Sequence, residues 1–221
     1  MKLPSFNNQE LLETALTHRS ALNEKNTTAA VSNERLEFLG DAVLELATTR
    51  FLYDRYPEDP EGTLTAYRSA LVKTVTLGKV ATELGLGEKL HMSKGEEATG
   101  GRSNNGILAD TLEAFLGALY LDQGFDAAAK LLAEILFPHI DEIIEKKLYK
   151  DAKSYLQEVV QALGFETPTY EVITEVGPDH DKEFTVTVSV GNSVVGRGSG
   201  KSKQHAQQAA AREAVKKYTQ E

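Results

Sequence analysis

The sequence predicts a multi-domain protein, in which an all-α domain precedes a small α+β domain with elements in the order α-β-β-β-α. Apolar residues recur at helical spacing from Gln9 to about Leu148. Beyond residues 146–151 the pattern changes to short runs rich in Val and Thr, which are typical of strands. We therefore expect one domain at residues 1–148 and a second at residues 151–219.

Helices of the first domain are indicated by five apolar stretches with a period near 3.6. Glycine, proline and polar residues separate these stretches at positions 23–32, 56–62, 85–87 and 95–106. None of these breaks is long enough to be a separate linker. The stretches begin near Leu11, Leu36, Leu71, Leu108 and Leu131.

The second domain begins with a predicted helix from about Lys153 to Leu163, which should end at Gly164. Three strands are expected next, because β-branched residues are concentrated in short runs separated by glycine-containing turns. An alanine-rich helix closes the chain. The expected strands are Thr169–Val176, Phe184–Val190 and Ser193–Gly198, and the closing helix is 204–218.

Composition excludes several classes of protein. The 221 residues are 41% hydrophobic, which is ordinary for a globular protein with a core. There is neither an apolar run of about eighteen residues nor a signal-peptide pattern, so we expect a cytoplasmic protein with no membrane partner. The chain has no cysteine, which excludes disulfides and thiolate chemistry. Any metal must be held by oxygen or imidazole ligands.

Charge is unevenly distributed along the chain. The net charge is −9, which is unusual for a protein that binds nucleic acid. Within residues 197–217, however, six basic side chains face one acidic side chain, so this stretch carries +5. A local basic patch of this kind is the electrostatic signature of phosphate binding.

Two pairs of carboxylates lie in predicted apolar helices. Glu37 and Asp41 are four residues apart and therefore share a helical face. Asp110 and Glu113 are the only charged side chains between Ile107 and Leu121. Because burying a carboxylate without a partner is costly, something cationic should meet these acids.

Buried salt bridges, or Asp110 as a helix N-cap, would explain either pair taken alone. Two pairs with few basic residues nearby favour a metal site instead, and all-oxygen ligands suit Mg²⁺ or Mn²⁺. A di-iron carboxylate bundle would need Glu-x-x-His twice. The chain has that pattern once, at Glu88 and His91.

Long motifs resemble the ribonuclease III family. The segments NERLEFLGDAVL at 33–44 and ILADTLEAFLGALYLDQG at 107–124 are similar to its two acidic motifs, and Leu16–Ser20 is similar to a further element. We expect His18, within that element, to be a packed core histidine. The resemblance covers nearly the whole chain and implies a nuclease domain that cleaves double-stranded RNA, including ribosomal and other precursor RNAs.

The resemblance also implies site residues. The Mg²⁺ ligands would be Glu37, Asp41, Asp110 and Glu113, with Asp41 and Glu113 catalytic and Mn²⁺ a substitute metal. Glu34 and Glu61 would handle RNA near the cleavage site. A metal-activated water would leave 5′-phosphate and 3′-hydroxyl ends, and no nucleotide cofactor is implied.

Residues 151–219 resemble a double-stranded-RNA-binding domain. By that resemblance RNA contacts would come from the first helix, the first hairpin and the start of the second helix. Gln204 stands where the family often has a further basic residue. The implied contact residues are Gln157, Glu158, His180, Lys201 and Lys203.

Ribonuclease III proteins pair two nuclease domains, so the resemblance implies a homodimer with Phe38 inserted into the partner. Apolar residues of the helix around Phe38 exceed one amphipathic stripe, which fits either a second burial partner or a helix central to its own core. A double-stranded-RNA binder without catalytic activity is the rival hypothesis, and four intact acids argue against it.

Overall fold

The structure, a computed structural model, describes residues 3–24, 31–178 and 182–219. The chain forms two compact units, Met1–Tyr149 and Lys150–Glu221. The first is helical and the second contains a three-stranded sheet with a helix before and after it. The predicted fold class is therefore confirmed. None of the helices in the described ranges is both long and apolar enough to cross a membrane.

Five described helices of the first unit follow the predicted stretches, although the stretch expected from Leu71 forms a helix only from Thr74. The helices at Glu61–Leu71, Leu86–Lys89, Lys94–Ala98 and His139–Glu145 were not predicted, and short 3₁₀ segments lie at Arg19–Asn23 and Gly101–Ser103. The helices are α1 (Gln9–Ala15), α2 (Glu34–Arg55), α3 (Glu61–Leu71), α4 (Thr74–Glu83), α5 (Leu86–Lys89), α6 (Lys94–Ala98), α7 (Asn105–Gln123), α8 (Phe125–Ile135) and α9 (His139–Glu145).

Helix α7 is the centre of the first unit, and α1, α2, α4 and α8 all pack on it. Its sequence is apolar nearly all round, so most of its side chains are buried. Phe115 is fully buried and meets the ring of Phe6 edge to face at 5.2 Å. Two acids on this helix are thus held by a rigid, close-packed element.

The start of α7 is fixed by local hydrogen bonds. The Asn104 side chain caps the helix, since its oxygen accepts from the backbone N–H groups of Gly106 and Ile107 at 2.8 and 3.3 Å. Arg102 donates to the carbonyl oxygens of Gly87 and Leu90 at 2.8 and 2.9 Å. These contacts join the preceding loop to α5 and set where α7 begins.

The second unit comprises α10 (Ala152–Ala162), β1 (Thr169–Val176), β2 (Glu183–Val190), β3 (Ser193–Gly200) and α11 (Lys203–Thr219). The sheet is antiparallel in the order β1-β2-β3. Gly191, with φ of +57°, makes the two-residue turn between β2 and β3.

Small residues bring β3 against α11. A Cβ added to Gly198 would lie 2.2 Å from the backbone nitrogen of Ala210, and one on Gly196 would lie 2.4 Å from the Ala210 oxygen. Buried alanines cover the facing side of α11. The core of the second unit is therefore thin, and its charged side chains lie outside it.

Candidate active site

The acidic site lies where α2 crosses α7. Glycines occupy the crossing point, since a Cβ on Gly40 would lie 1.7 Å from the Glu113 carbonyl oxygen and one on Gly117 would lie 2.2 Å from that of Leu36. The two backbones are in contact there. Glu37 and Asp41 on α2 consequently face Asp110 and Glu113 on α7.

Three of the four predicted acids come together as a possible metal site. Carboxylate oxygens of Glu37, Asp110 and Glu113 lie within 4.8 Å of one another. Asp41 is outside this trio, although its charge raises the pKa of Glu113. We call Glu37, Asp41, Asp110 and Glu113 the acidic cluster.

Burial of the acidic cluster differs from the sequence expectation. The acids were expected to be buried, but Asp41 and Asp110 are exposed and Glu37 and Glu113 are half-buried. On α7 the neighbouring residues Ala109, Thr111 and Leu112 are buried, whereas Asp110 and Glu113 reach the surface. The cluster is therefore accessible to an ion or a phosphate from solvent.

Electrostatic strain is concentrated at Glu113. Burial, followed by the charges of Asp41, Asp110 and Glu37, raises the pKa of Glu113 to about 8. Burial and the charge of Asp110 also raise the pKa of Glu37. Desolvation raises the pKa of Asp110 as well, although the residue as a whole is exposed. Such mutual repulsion is the condition that a bound divalent cation relieves.

The alternative explanations for these acids receive little support. Asp110 is not an N-cap, because Asn104 caps α7. Among the described residues no salt bridge joins a basic side chain to Glu37, Asp41, Asp110 or Glu113. His18 and Arg19 act to lower the pKa of Asp110, although burial outweighs them. The proximity of His18 and Arg19 to Asp110 was not predicted, because both residues are remote from α7 along the chain.

A cavity of about 450 Å³ adjoins the acidic cluster and contains His18, Arg19, Glu34, Glu37 and Asp110 in its lining. Glu34 lies 3.7 Å from Arg19 and accepts a hydrogen bond from the Ser32 hydroxyl at 2.7 Å. His18 is half-buried in this wall rather than packed in the core as the sequence analysis expected.

Glu61 lies apart from that cavity, at the first residue of α3. It lines a second cavity, of about 550 Å³, together with Tyr53, Tyr56, Leu64 and Arg68. The Thr65 hydroxyl donates to Glu61 at 3.0 Å. The structure therefore places Glu34 beside the acidic cluster and Glu61 in a separate, largely apolar recess.

Phe38 points away from the core of its own unit, with 82% of its surface exposed. Leu46 and Tyr53, further along α2, are 59% and 71% exposed. These three residues form what we call the α2 stripe. Leu36, Val43 and Leu44 supply the buried face of the same helix instead.

Predicted RNA-contact residues of the second unit are partly engaged within it. Lys203 forms an ion pair with Glu175 of β1 at 2.7 Å and lies over the Phe184 ring. Glu158 forms an ion pair with Lys150 at 2.6 Å. Gln157 lines a polar recess that also includes Gln204.

The other two predicted contacts of the second unit are Lys201 and His180. Lys201 follows β3 and is exposed immediately before α11. His180 lies outside the described residues.

Comparisons with known proteins agree on both units. A family model described as "Ribonuclease-III-like" matches residues 8–140. Another, "Double-stranded RNA binding motif", matches residues 152–218. Ribonuclease 3 of Pelotomaculum thermopropionicum is 47% identical over 213 residues, which cover 96% of this chain and 88% of the relative. Ribonuclease 3 of Bacillus licheniformis is 48% identical over 212 residues, covering 96% and 85%.

A solved structure of the nuclease domain of ribonuclease III from Campylobacter jejuni is similar to the first unit. It is 40% identical with a TM-score of 0.56, over 61% of this chain and 92% of that one. The family models, the order of the two domains and the acidic motifs all indicate the same family. The chain therefore belongs to the ribonuclease III family, whose members are endoribonucleases specific for double-stranded RNA.

Proposed function

We propose that this protein cleaves double-stranded RNA with Mg²⁺ held by Glu37, Asp41, Asp110 and Glu113, and that Mn²⁺ can substitute. The observation that carries the proposal is the meeting of three carboxylates within 4.8 Å, one of which has its pKa raised to about 8 by burial and by the others. All-oxygen donors of this kind fit a hard divalent cation.

Residues of the acidic cluster have distinct parts in the proposed mechanism. When bound, the metal lowers the pKa of water and offsets charge on the phosphoryl oxygens. Asp41 on α2 and Glu113 on α7, the proposed catalytic residues, accept hydrogen bonds from the attacking water and aim it at phosphorus. A bond forms between the water oxygen and phosphorus while the bond to the 3′ oxygen breaks; the water gives up a proton to a carboxylate of the acidic cluster, and the departing 3′ oxygen takes up a proton from solvent. The products carry 5′-phosphate and 3′-hydroxyl ends.

Contacts with the substrate extend beyond the acidic cluster. Glu34 is supported as an RNA-handling residue by its position in the wall of the same cavity as Glu37. Glu61 is proposed for the same role at a different point along the duplex, because it lines the separate recess between α2 and α3.

RNA binding by the second unit is proposed for Gln157, Glu158, His180, Lys201 and Lys203. Support comes from the exposed lysines around the start of α11, where helix N–H groups also favour phosphate. Duplex RNA is recognised through A-form shape and 2′-hydroxyls rather than base identity. Gln204 at this position supplies no charge, so we expect neighbouring lysines to carry most of the phosphate attraction.

A homodimer is proposed through the α2 stripe. Phe38 contributes nothing to its own core, which favours a second burial partner over a helix central to one domain. The Campylobacter jejuni nuclease domain has a region involved in dimer formation. A second copy of this chain is therefore the proposed occupant.

Product analysis on a perfect RNA duplex tests the proposed function. We expect Mg²⁺-dependent cleavage, 5′-phosphate and 3′-hydroxyl ends, and no cleavage in a chelator. Binding without cleavage at any Mg²⁺ or Mn²⁺ concentration would favour the rival double-stranded-RNA binder. Ribosomal and other precursor RNAs in the cytoplasm are the proposed substrates, and depletion of the protein should cause such precursors to accumulate.

A further inference from the structure

The cavity beside the acidic cluster contains two basic residues that the proposed mechanism does not use. Its lining includes His18 and Arg19 as well as Glu34, Glu37 and Asp110. Arg19 is paired with Glu34 in a largely exposed position. His18 is half-buried and faces the same space as the proposed metal ligands.

The imidazole of His18 is held in a defined tautomer. Its Nδ1 lies 2.8 Å from the Ser20 hydroxyl oxygen and accepts from the Ser20 backbone N–H at 3.3 Å. That hydroxyl oxygen already accepts from the Ser93 N–H at 3.0 Å, so the hydroxyl hydrogen is available to donate to Nδ1. The proton of the neutral ring is consequently on Nε2.

The backbone at His18 is equally constrained. The His18 N–H donates to the His91 carbonyl at 2.9 Å, and the His91 N–H donates to the Leu16 carbonyl at 2.8 Å. The Thr17 carbonyl accepts from the N–H of Asn33, the residue before α2, at 2.9 Å. Thr17, the residue before His18, is thus bonded to the segment that begins the helix carrying Glu37.

The second ring nitrogen of His18, Nε2, is available to a group in the cavity. Within residues 3–24, 31–178 and 182–219, Nε2 forms no hydrogen bond to the protein. Asp110 lines the same cavity. His18 therefore has an Nε2–H donor, in a defined tautomer, in the same cavity as the Asp110 carboxylate.

We propose that His18 is a positioning residue for the metal site: when a cation is bound, its Nε2–H donates to the Asp110 carboxylate, and Ser20 keeps the ring in the tautomer that allows this. The structure itself, in the part of the chain that it describes, does not form this hydrogen bond. The inference rests on the proposed function, because it concerns the same ligand set. A carboxylate that ligates through one oxygen needs its other oxygen anchored, and outer hydrogen bonds of this kind commonly change metal affinity 10- to 100-fold.

Metal binding without RNA is the test, with Mn²⁺ as the probe and titration calorimetry as the measurement. His18→Phe removes both nitrogens and should weaken Mn²⁺ affinity about tenfold or more. His18→Gln restores a donor near the Nε2 position and should recover most of that loss. Ser20→Ala removes the hydroxyl that holds the ring in one tautomer, and its Mn²⁺ affinity should lie between those of the two His18 variants.

His91→Gln is the matched control, because that ring is exposed and pairs with Glu13 outside the cavity. It should leave Mn²⁺ affinity unchanged. In cleavage assays His18→Phe should lower kcat while KM for a long duplex stays within about twofold, since the second unit still binds RNA.

Unchanged Mn²⁺ affinity in a folded His18→Phe protein would overturn the proposal. Should that variant fail to fold, nitrogen NMR of the unsubstituted protein decides, because an imidazole protonated on Nδ1 contradicts the proposed hydrogen bond and one protonated on Nε2 supports it. Absence of Mn²⁺ binding by the unsubstituted protein would instead contradict the metal assignment of the proposed function, and the two failures are distinguishable.

Discussion

Gly40 on α2 and Gly117 on α7 meet at the crossing of the two acid-bearing helices, where a Cβ on Gly117 would come within 3.0 Å of the Gly40 nitrogen. This contact sets the separation of the helices. Because Asp41 follows Gly40 directly and Glu113 lies one turn before Gly117, the same contact sets the spacing of the acidic cluster.

Gly117→Ala should therefore lower stability by roughly 1–3 kcal/mol through overpacking and should also weaken Mn²⁺ binding. Chemical denaturation and metal titration measure the two effects. Gly62→Ala is the control, because nothing lies within 4 Å of a Cβ at that helical position. Loss of stability with normal metal affinity would contradict the link between the crossing and the acidic cluster.

Glu113→Gln keeps the size of the side chain but removes one charge from the acidic cluster. We expect cleavage to fall by orders of magnitude, because the metal loses a ligand and the water loses an acceptor. Duplex binding should persist, since residues of the second unit are unchanged. Single-turnover cleavage and a gel-shift assay measure these outcomes, with Glu134→Gln on the exposed side of α8 as the control.

The same variant should alter how stability depends on pH. In the folded metal-free protein the pKa of Glu113 is about 8, compared with an ordinary value of 4.5. Between those values the unfolded chain loses a proton that the folded chain keeps, so folding stability falls as pH rises. The free energy of unfolding, measured by denaturation in a chelator from about pH 5 to about pH 8, should decline less steeply with pH for Glu113→Gln than for the unsubstituted protein. An equal decline in both proteins would contradict the raised pKa.

Glu175→Gln should release Lys203 from its ion pair and strengthen duplex RNA binding about two- to fivefold, the range expected for a surface pair. Glu171→Gln removes the same charge from an exposed position on β1 without a described ion pair, and serves as the control. Equal effects of the two Glu variants on RNA binding would show that Lys203 is not the residue released.

Replacing both Lys201 and Lys203 by alanine should weaken the dependence of duplex RNA binding on salt concentration, by about one unit of the slope per lost phosphate contact.

Phe38→Ser should convert a dimer into monomers without unfolding them, because this side chain is 82% exposed and outside the core. Sedimentation equilibrium measures the association constant. Val75→Ser, at a residue that is 63% exposed on α4, should leave association unchanged. A stable dimer of the Phe38 variant would exclude this residue as a main contact.

A chain ending after Tyr149 should remain folded and metal-dependent but should need lower salt to cleave, because the +5 stretch at 197–217 is lost. Retaining Tyr149 matters, since its ring packs edge to face on Tyr67 at 4.7 Å. Ending one residue earlier, at Leu148, should reduce thermal stability. If neither truncated protein cleaved at any ionic strength, the proposed division of labour would be wrong.

Sequence reasoning succeeded where the signal is local. The strand Thr169–Val176 was predicted with its observed ends, because alternation and flanking breakers define it. Helical spacing put Asp110 with Glu113, and both belong to the trio of carboxylates, whereas Asp41 lies outside that trio although the same spacing paired it with Glu37. The approach of His18 to Asp110 and the Gly40 to Gly117 contact could not be predicted, because tertiary packing between distant segments creates both.

Hydrogen bonds at the start of the second unit join its first helix to its last. Asp151 caps α10 by accepting from the Ser154 N–H at 3.0 Å, and its other oxygen accepts from the Gln208 amide. Gln208 in turn accepts from the Ala152 N–H at 3.0 Å. These hydrogen bonds join the first and last helices at the first residues of the second unit. A segment that carries its own closure in this way should be transplantable: joined to an unrelated protein, residues 150–219 should keep the contact between α10 and α11.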